Sequence, residues 1–191
     1  MITVIDNYDS FTYNLVQQIE RLSGERTNVI RNDAFGVGEL INSKPTAIVI
    51  SPGPGVPKGA GHSMGVARSS GDIPLLGICL GHQVIAESFG SKIIRGSDPV
   101  HGKTNSVHHE GVGLFENCES PLQGARYHSL VIDPESIPEM LRVDARTDDG
   151  AIMAISHRDR PIFGVQFHPE SYGTLGGDEL IRNFLRLGGL S

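Results

Sequence analysis

Apolar and polar positions give this chain two rhythms. Up to Gly90, short apolar runs alternate with stretches of helical periodicity. Residues 2–5 read as a short apolar strand, followed by a polar, turn-like segment at residues 6–12. Phe11, Leu15, Val16, Ile19 and Leu22 then recur at helical spacing; Asp9 or Ser10 can cap the first turn and Gly24 can end the last. Thr27–Arg31 and residues 46–50 read as strands, Val37–Asn42 as a short helix, and part of residues 60–70 as another helix. An apolar run at residues 73–78 is followed by a helical pattern at residues 80–89. Strands alternating with helices in this way predict βαβ units and a parallel sheet covered on both faces.

After Gly90 the helical period disappears. Short β-rich runs separated by turns dominate residues 92–167, at 112–115, 125–127, 141–145, 151–155 and 162–167. They predict an antiparallel meander or set of hairpins joined to the parallel sheet, before a last helix at residues 179–187. The expected fold class is therefore α/β: an open, mostly parallel sheet with helices on both faces and an antiparallel β-rich excursion in the C-terminal half. With 191 residues and no internal repeat, residues 1–191 are expected to form one domain.

The stretch Gly77-Ile78-Cys79-Leu80-Gly81-His82-Gln83 places Cys79 where a buried strand turns into a helix. That is the position of a nucleophile elbow. Glycines two residues to either side suit a turn so sharp that a Cβ would strike neighbouring backbone. A thiol at a helix N-terminus also gains thiolate stabilisation from the dipole and the unpaired N–H groups.

Two other stretches supply what such a thiol needs. The third strand runs into Ser51-Pro52-Gly53-Pro54-Gly55, a rigid loop with exposed amides, and ligands in open parallel sheets bind outside the carboxyl ends of the strands. An N–H near Gly55 and the N–H of Leu80 are expected to form an oxyanion hole. No Gly-Lys-Ser/Thr follows, so this is not a phosphate loop. Downstream, Phe163-Gly164-Val165-Gln166-Phe167-His168-Pro169-Glu170 is expected to carry His168 to a strand tip, with Glu170 set to accept from the imidazole. Cys79, His168 and Glu170 form a candidate triad of nucleophile, general base and acid, and orienting carboxylate.

Several alternatives weaken on inspection. His82 is a rival base, but an elbow aims its nucleophile away from the helix that follows. His101, His108, His109 and Cys118 have no compact zinc spacing, so no metal is expected. Cys118 has no flanking glycines and reads as a loop or edge residue. A net charge of −6 without any Lys/Arg run disfavours nucleic acid or an anionic membrane as partner. Asp6 arrives before a signal-peptide h-region could form, and no apolar run approaches a membrane span. Two cysteines suit a reducing compartment, so a cytoplasmic protein is expected.

The elbow, together with Pro52-Gly53-Pro54-Gly55 and Phe167-His168-Pro169-Glu170, resembles the class I (triad) glutamine amidotransferases over nearly the whole chain. Asp6-Asn7-Tyr8-Asp9-Ser10-Phe11-Thr12-Tyr13-Asn14-Leu15 and His101-Gly102-Lys103-Thr104 are similar to the glutaminase subunits of anthranilate synthase and aminodeoxychorismate synthase. The resemblance implies that Cys79, His168 and Glu170 are catalytic and that no cofactor is needed. It implies that Gly53, Pro54, Gly55 and Leu80 surround the substrate and oxyanion. It further implies that Gln83 contacts L-glutamine and that the backbone of Ser129 and Leu130 holds its amino-acid end. One departure is local: Asn105 and the pair His108-His109 stand where relatives commonly show Ser and a single His. The implied partner is a separate chorismate-using synthase subunit, with residues 6–12 and 101–104 expected to lie toward it. Ordinary turn and cap chemistry is the alternative for both stretches, and for Lys103 alone the two readings weigh evenly.

Overall fold

The computed structural model describes residues 1–190, with the side chains of residues 97–101 outside the described set. Its strands are β1 (Ile2–Asp6), β2 (Thr27–Arg31), β3 (Ala47–Ile50), β4 (Leu75–Ile78), β5 (Ile93–His109), β6 (Leu122–Ile132), β7 (Leu141–Thr147), β8 (Ile152–His157) and β9 (Ile162–Val165). The helices are α1 (Thr12–Ser23), α2 (Val37–Asn42), α3 (Ser63–Ser69), α4 (Leu80–Ser88) and α5 (Gly177–Leu187). All nine strands belong to one sheet of order β2-β1-β3-β4-β9-β8-β7-β5-β6. The first five are mutually parallel. From β9 onward every pairing is antiparallel.

The apolar runs make buried strands because both faces of the parallel part are covered. Ile2, Val4, Val49, Leu76 and Ile78 point to one face, where they pack with Leu15, Val16 and Ile19 of α1 and Leu180, Ile181 and Phe184 of α5. Ile5, Ile48, Ile50 and Leu75 point to the other, against Val66 of α3 and Val84 and Ile85 of α4. This is the α/β architecture that the periodicity predicts, with the antiparallel excursion attached at β9.

Some local readings need correction. Gly24 ends α1 with φ 71°, as expected, but neither Asp9 nor Ser10 occupies the N-cap position, which falls to Phe11 without a side-chain cap. Asp9 instead accepts from the Phe11 N–H, and Asp6 accepts from the Thr12 hydroxyl and the Tyr8 N–H. The buried end of β1 has organised this polar segment before the helix begins. Residues 112–115 form a single tight turn, Gly113–Phe115, not a strand. The expected strand at residues 125–127 is only the middle of β6, whose partner β5 runs for 17 residues. β9 stops at Val165, short of the expected residue 167.

That early stop bears directly on the site. The His168 N–H bonds the Ala125 carbonyl of β6, so the chain leaves β9 and crosses to the last strand of the sheet. Thr174 closes this seam: its hydroxyl accepts from the Ala125 N–H at 3.0 Å and donates to the His168 carbonyl at 2.6 Å. The antiparallel half therefore curls back until β6 faces the carboxyl ends of β4 and β9.

Candidate active site

Cys79 joins β4 to α4 with φ 52° and ψ −100°, a strained conformation for a residue with a side chain. Steric crowding shows why its neighbours lack side chains. A Cβ on Gly77 would lie 2.4 Å from the Gly81 carbonyl, and one on Gly81 would lie 2.3 Å from the Ile50 carbonyl oxygen. The turn is pinned where the Cys79 N–H bonds the Val165 carbonyl at 2.9 Å and the Gln83 N–H bonds the Cys79 carbonyl at 3.2 Å.

The loop after β3 packs directly onto this elbow. A Cβ on Gly53 would strike Asn7 at 2.6 Å and the Leu80 side chain at 2.8 Å. Buried Asn7 holds the two loops together: its N–H and side-chain amide bond Ser51, and its side-chain carbonyl oxygen accepts from Asn32 and Ser63. Gly55, with φ 84°, faces open space.

His168 is 2% exposed, and its Nδ1 meets Glu170 Oε1 at 2.6 Å. Because a carboxylate only accepts, Nδ1 carries the hydrogen. Nε2 is buried, and among the described residues the Cys79 side chain is the group that acts on it. Burial works against the imidazolium, but the Cys79 and Glu170 side chains outweigh it and raise the pKa of His168 to about 10. Phe11 and Tyr127 wall the ring edge-on, at centroid distances of 5.5 and 5.1 Å.

A cavity of about 190 Å³ opens beside the thiol, lined by Gly53, Pro54, Gly55, Cys79, Leu80, Gln83, Tyr127, His128, Ser129 and Leu130. Every substrate-binding residue expected from the sequence is on that wall. A larger recess of about 690 Å³ lies between α1 and residues 169–178, and of the three candidate catalytic residues only Glu170 borders it. The Leu130 carbonyl is fixed by the His128 ring Nδ1 at 2.9 Å and the Gln83 side-chain amide at 3.0 Å. The Arg126 guanidinium donates to His128 Nε2, which makes Nδ1 the donor toward Leu130.

The alternatives separate from the site. His82 is not on the cavity wall; it is buried against Gly164 of β9, and desolvation pushes its pKa down to about 3. His108 pairs with Asp148, and His109 stacks on Phe115. Among the described residues no group of three or more His, Cys, Asp or Glu could hold a metal ion; the side chain of His101 lies outside them. Cys118 is half-buried against the core, and burial raises its pKa to about 11. Asn105 accepts from Arg126 at 3.3 Å. Sequence reading passed over Tyr127, Thr174 and Gln166. Gln166 carried a signal, since it is a fully polar side chain inside an apolar run and is completely buried.

Residues 3–187 match the family model described as "Glutamine amidotransferase class-I". The chain belongs to the class I glutamine amidotransferases. A 186-residue match to the aminodeoxychorismate/anthranilate synthase component 2 of Bacillus subtilis is 49% identical and covers 97% of this amidotransferase and 95% of that one. A "Bifunctional protein TrpGD" from Thermotoga maritima is 50% identical over 188 residues, 97% of this chain, and the chain spans only 32% of that protein. The crystal structure of a candidate GMP synthase component from Thermoplasma acidophilum superimposes with a TM-score of 0.86 at 26% identity, covering 98% of this amidotransferase and 93% of its own chain. The likeness therefore includes the curled-back antiparallel half as well as the parallel core.

Proposed function

We propose that residues 1–191 act as one glutaminase domain that hydrolyses L-glutamine at Cys79 and passes the ammonia to a separate, chorismate-using synthase. Anthranilate is the favoured product; the aminodeoxychorismate reaction is the second reading, since the Bacillus subtilis relative carries both names. The observation that carries the proposal is the convergence of Cys79, the His168–Glu170 pair and a backbone-lined cavity at one sheet edge.

In this reading His168 takes the proton of the Cys79 thiol. The sulfur attacks the glutamine carboxamide carbon, and the oxyanion is held by the N–H of Leu80 and an N–H of the Gly53-Pro54-Gly55 loop. His168 protonates the leaving nitrogen, ammonia departs, and water then cleaves the glutamyl thioester with His168 as base. Glu170 keeps Nδ1 protonated and steadies the imidazolium through both steps. Ser129 and Leu130 offer backbone groups to the amino-acid end. Both N–H bonds of the Gln83 amide are engaged by Leu130 and Gln166, which leaves its oxygen for a substrate donor. No metal or cofactor enters this sequence of steps.

Ammonia released into neutral water becomes ammonium and loses its nucleophilicity, so the product needs a direct route to an acceptor. Tyr8, Tyr13, Val56, Tyr172 and Leu175 are exposed on loops or helix starts that follow β1, β3 and β9, the edge that holds the cavity. This apolar rim, with Lys103 and Thr104 on β5, is the surface we assign to the synthase. Reconstitution with a chorismate-using synthase tests the reading: Cys79→Ala should abolish glutamine-dependent synthesis and preserve ammonia-dependent synthesis. Survival of the glutamine-dependent reaction would refute it.

A further inference from the structure

Gln166 lies beside the nucleophile and is not part of the triad. Its side-chain Nε2 is 3.7 Å from Cys79 Sγ, within donor reach of a sulfur acceptor, and the residue is fully buried. Its Oε1 accepts from Gln83 Nε2 at 3.0 Å, and the same Gln83 nitrogen donates to the Leu130 carbonyl at 3.0 Å.

The orientation of both amides follows from the inventory of donors and acceptors. The Leu130 carbonyl can only accept, so Gln83 must present its NH₂ there. With that group also facing Gln166, Gln166 must present its oxygen. Its NH₂ is thereby directed to the sulfur. Turning over either amide would set donor against donor or oxygen against oxygen in a dry environment, where an unsatisfied polar group is costly.

We infer that Gln166 is a further catalytic residue, a fixed N–H donor that holds the Cys79 thiolate without taking part in proton transfer, and that Gln83 is the positioning residue that aims it. The donor favours charge on sulfur both before attack and when the thiolate leaves the thioester, the two points at which sulfur bears the charge. The relay also ties the Leu130 carbonyl on the substrate-facing strand to the nucleophile through two side chains. The effect on turnover rests on the glutaminase reading; the effect on the thiol rests on this geometry alone.

The test uses the full chain with Cys118→Ala, so that Cys79 is the sole thiol, and measures iodoacetamide alkylation across pH in Gln166→Glu, Gln166→Met and Gln83→Met. At neutral pH the two Gln166 variants should react about tenfold more slowly or worse, the scale of one hydrogen bond to a charged group. The deficit should close in alkaline solution, and glutamine kcat should fall with KM little changed. Gln83→Met should show a smaller loss in the same direction. Alkylation within about twofold of the parent at neutral pH, or a loss equal at every pH, would overturn the inference. If thermal unfolding shows the Gln166 variants to be unfolded, Gln83→Met decides alone, and an unchanged rate there overturns the relay. Failure of the parent chain to turn over glutamine would instead count against the glutaminase reading, with the alkylation comparison still readable.

Discussion

The parallel and antiparallel halves of the sheet build the same cavity by different means. On the parallel side, β1, β3 and β4 are buried throughout, and the site's backbone is set by steric exclusion at Gly53, Gly77 and Gly81. On the antiparallel side, β5 and β6 pair with register shifts between Arg95 and Val100 and between His101 and Lys103, and β6 mixes buried and half-buried positions. One side leaves its chain no alternative path. The other bends and bulges until a strand edge reaches the thiol. The proposed nucleophile belongs to the constrained side and the expected ligand-holding backbone to the deformable one, joined by Gln83, Gln166 and the Thr174 seam.

If rigidity on the parallel side comes from exclusion of side chains, one added methyl should break it. Gly81→Ala puts a Cβ 2.3 Å from a backbone oxygen that cannot give way. It should cost about 3 kcal/mol or more in urea unfolding and displace Cys79 enough to lose thiol reactivity. The seam should be softer. Thr174→Val strands the buried Ala125 N–H and deprives the His168 carbonyl of its donor. A loss of about 1–3 kcal/mol, with a fall in glutaminase rate, is expected; an unchanged rate would separate the seam from catalysis.

His82 and His168, two of the buried histidines, titrate in opposite pH windows. The native pKa of His82, held down to about 3 by desolvation, lies below its ordinary value of 6.5. The unfolded chain therefore takes up a proton that the native chain refuses, and stability present above pH 6.5 is lost as pH falls toward 3. The native pKa of His168 is raised to about 10, so its contribution is complete below 6.5 and disappears as pH rises through 10. Each limb should have a slope of at most about 1.4 kcal/mol per pH unit. Urea midpoints measured across pH should show the acid limb flattened in His82→Leu and the alkaline limb flattened in Glu170→Gln.

How much of this could be read from residues alone divides along the same line. Buried parallel strands require continuous apolar runs, so Ile2, Ile5, Ile48 and Ile50 announce themselves, and Gly77 and Gly81 mark the elbow because no other residue fits. β5 escapes such reading: it contains Gly96, Pro99 and Gly102 and mostly polar positions, and its pairing is interrupted by bulges that no local pattern encodes. Motif residues Cys79, His168 and Glu170 were legible, whereas Tyr127 and Thr174 reach the site only because the sheet curls back. Gln166 was visible as an out-of-place polar residue, but its amide acquires meaning only once Gln83 and Leu130 are seen to orient it.

The central claim is that the elbow thiol, activated by His168 and Glu170, is the group that attacks the glutamine carboxamide. Incubation with an electrophilic glutamine analogue, followed by mass spectrometry of peptides, tests it most directly. One adduct is expected, on the peptide containing Cys79, competed away by glutamine and greatly slowed in His168→Asn. An adduct confined to Cys118, or labelling of Cys79 indifferent to both glutamine and His168, would contradict it.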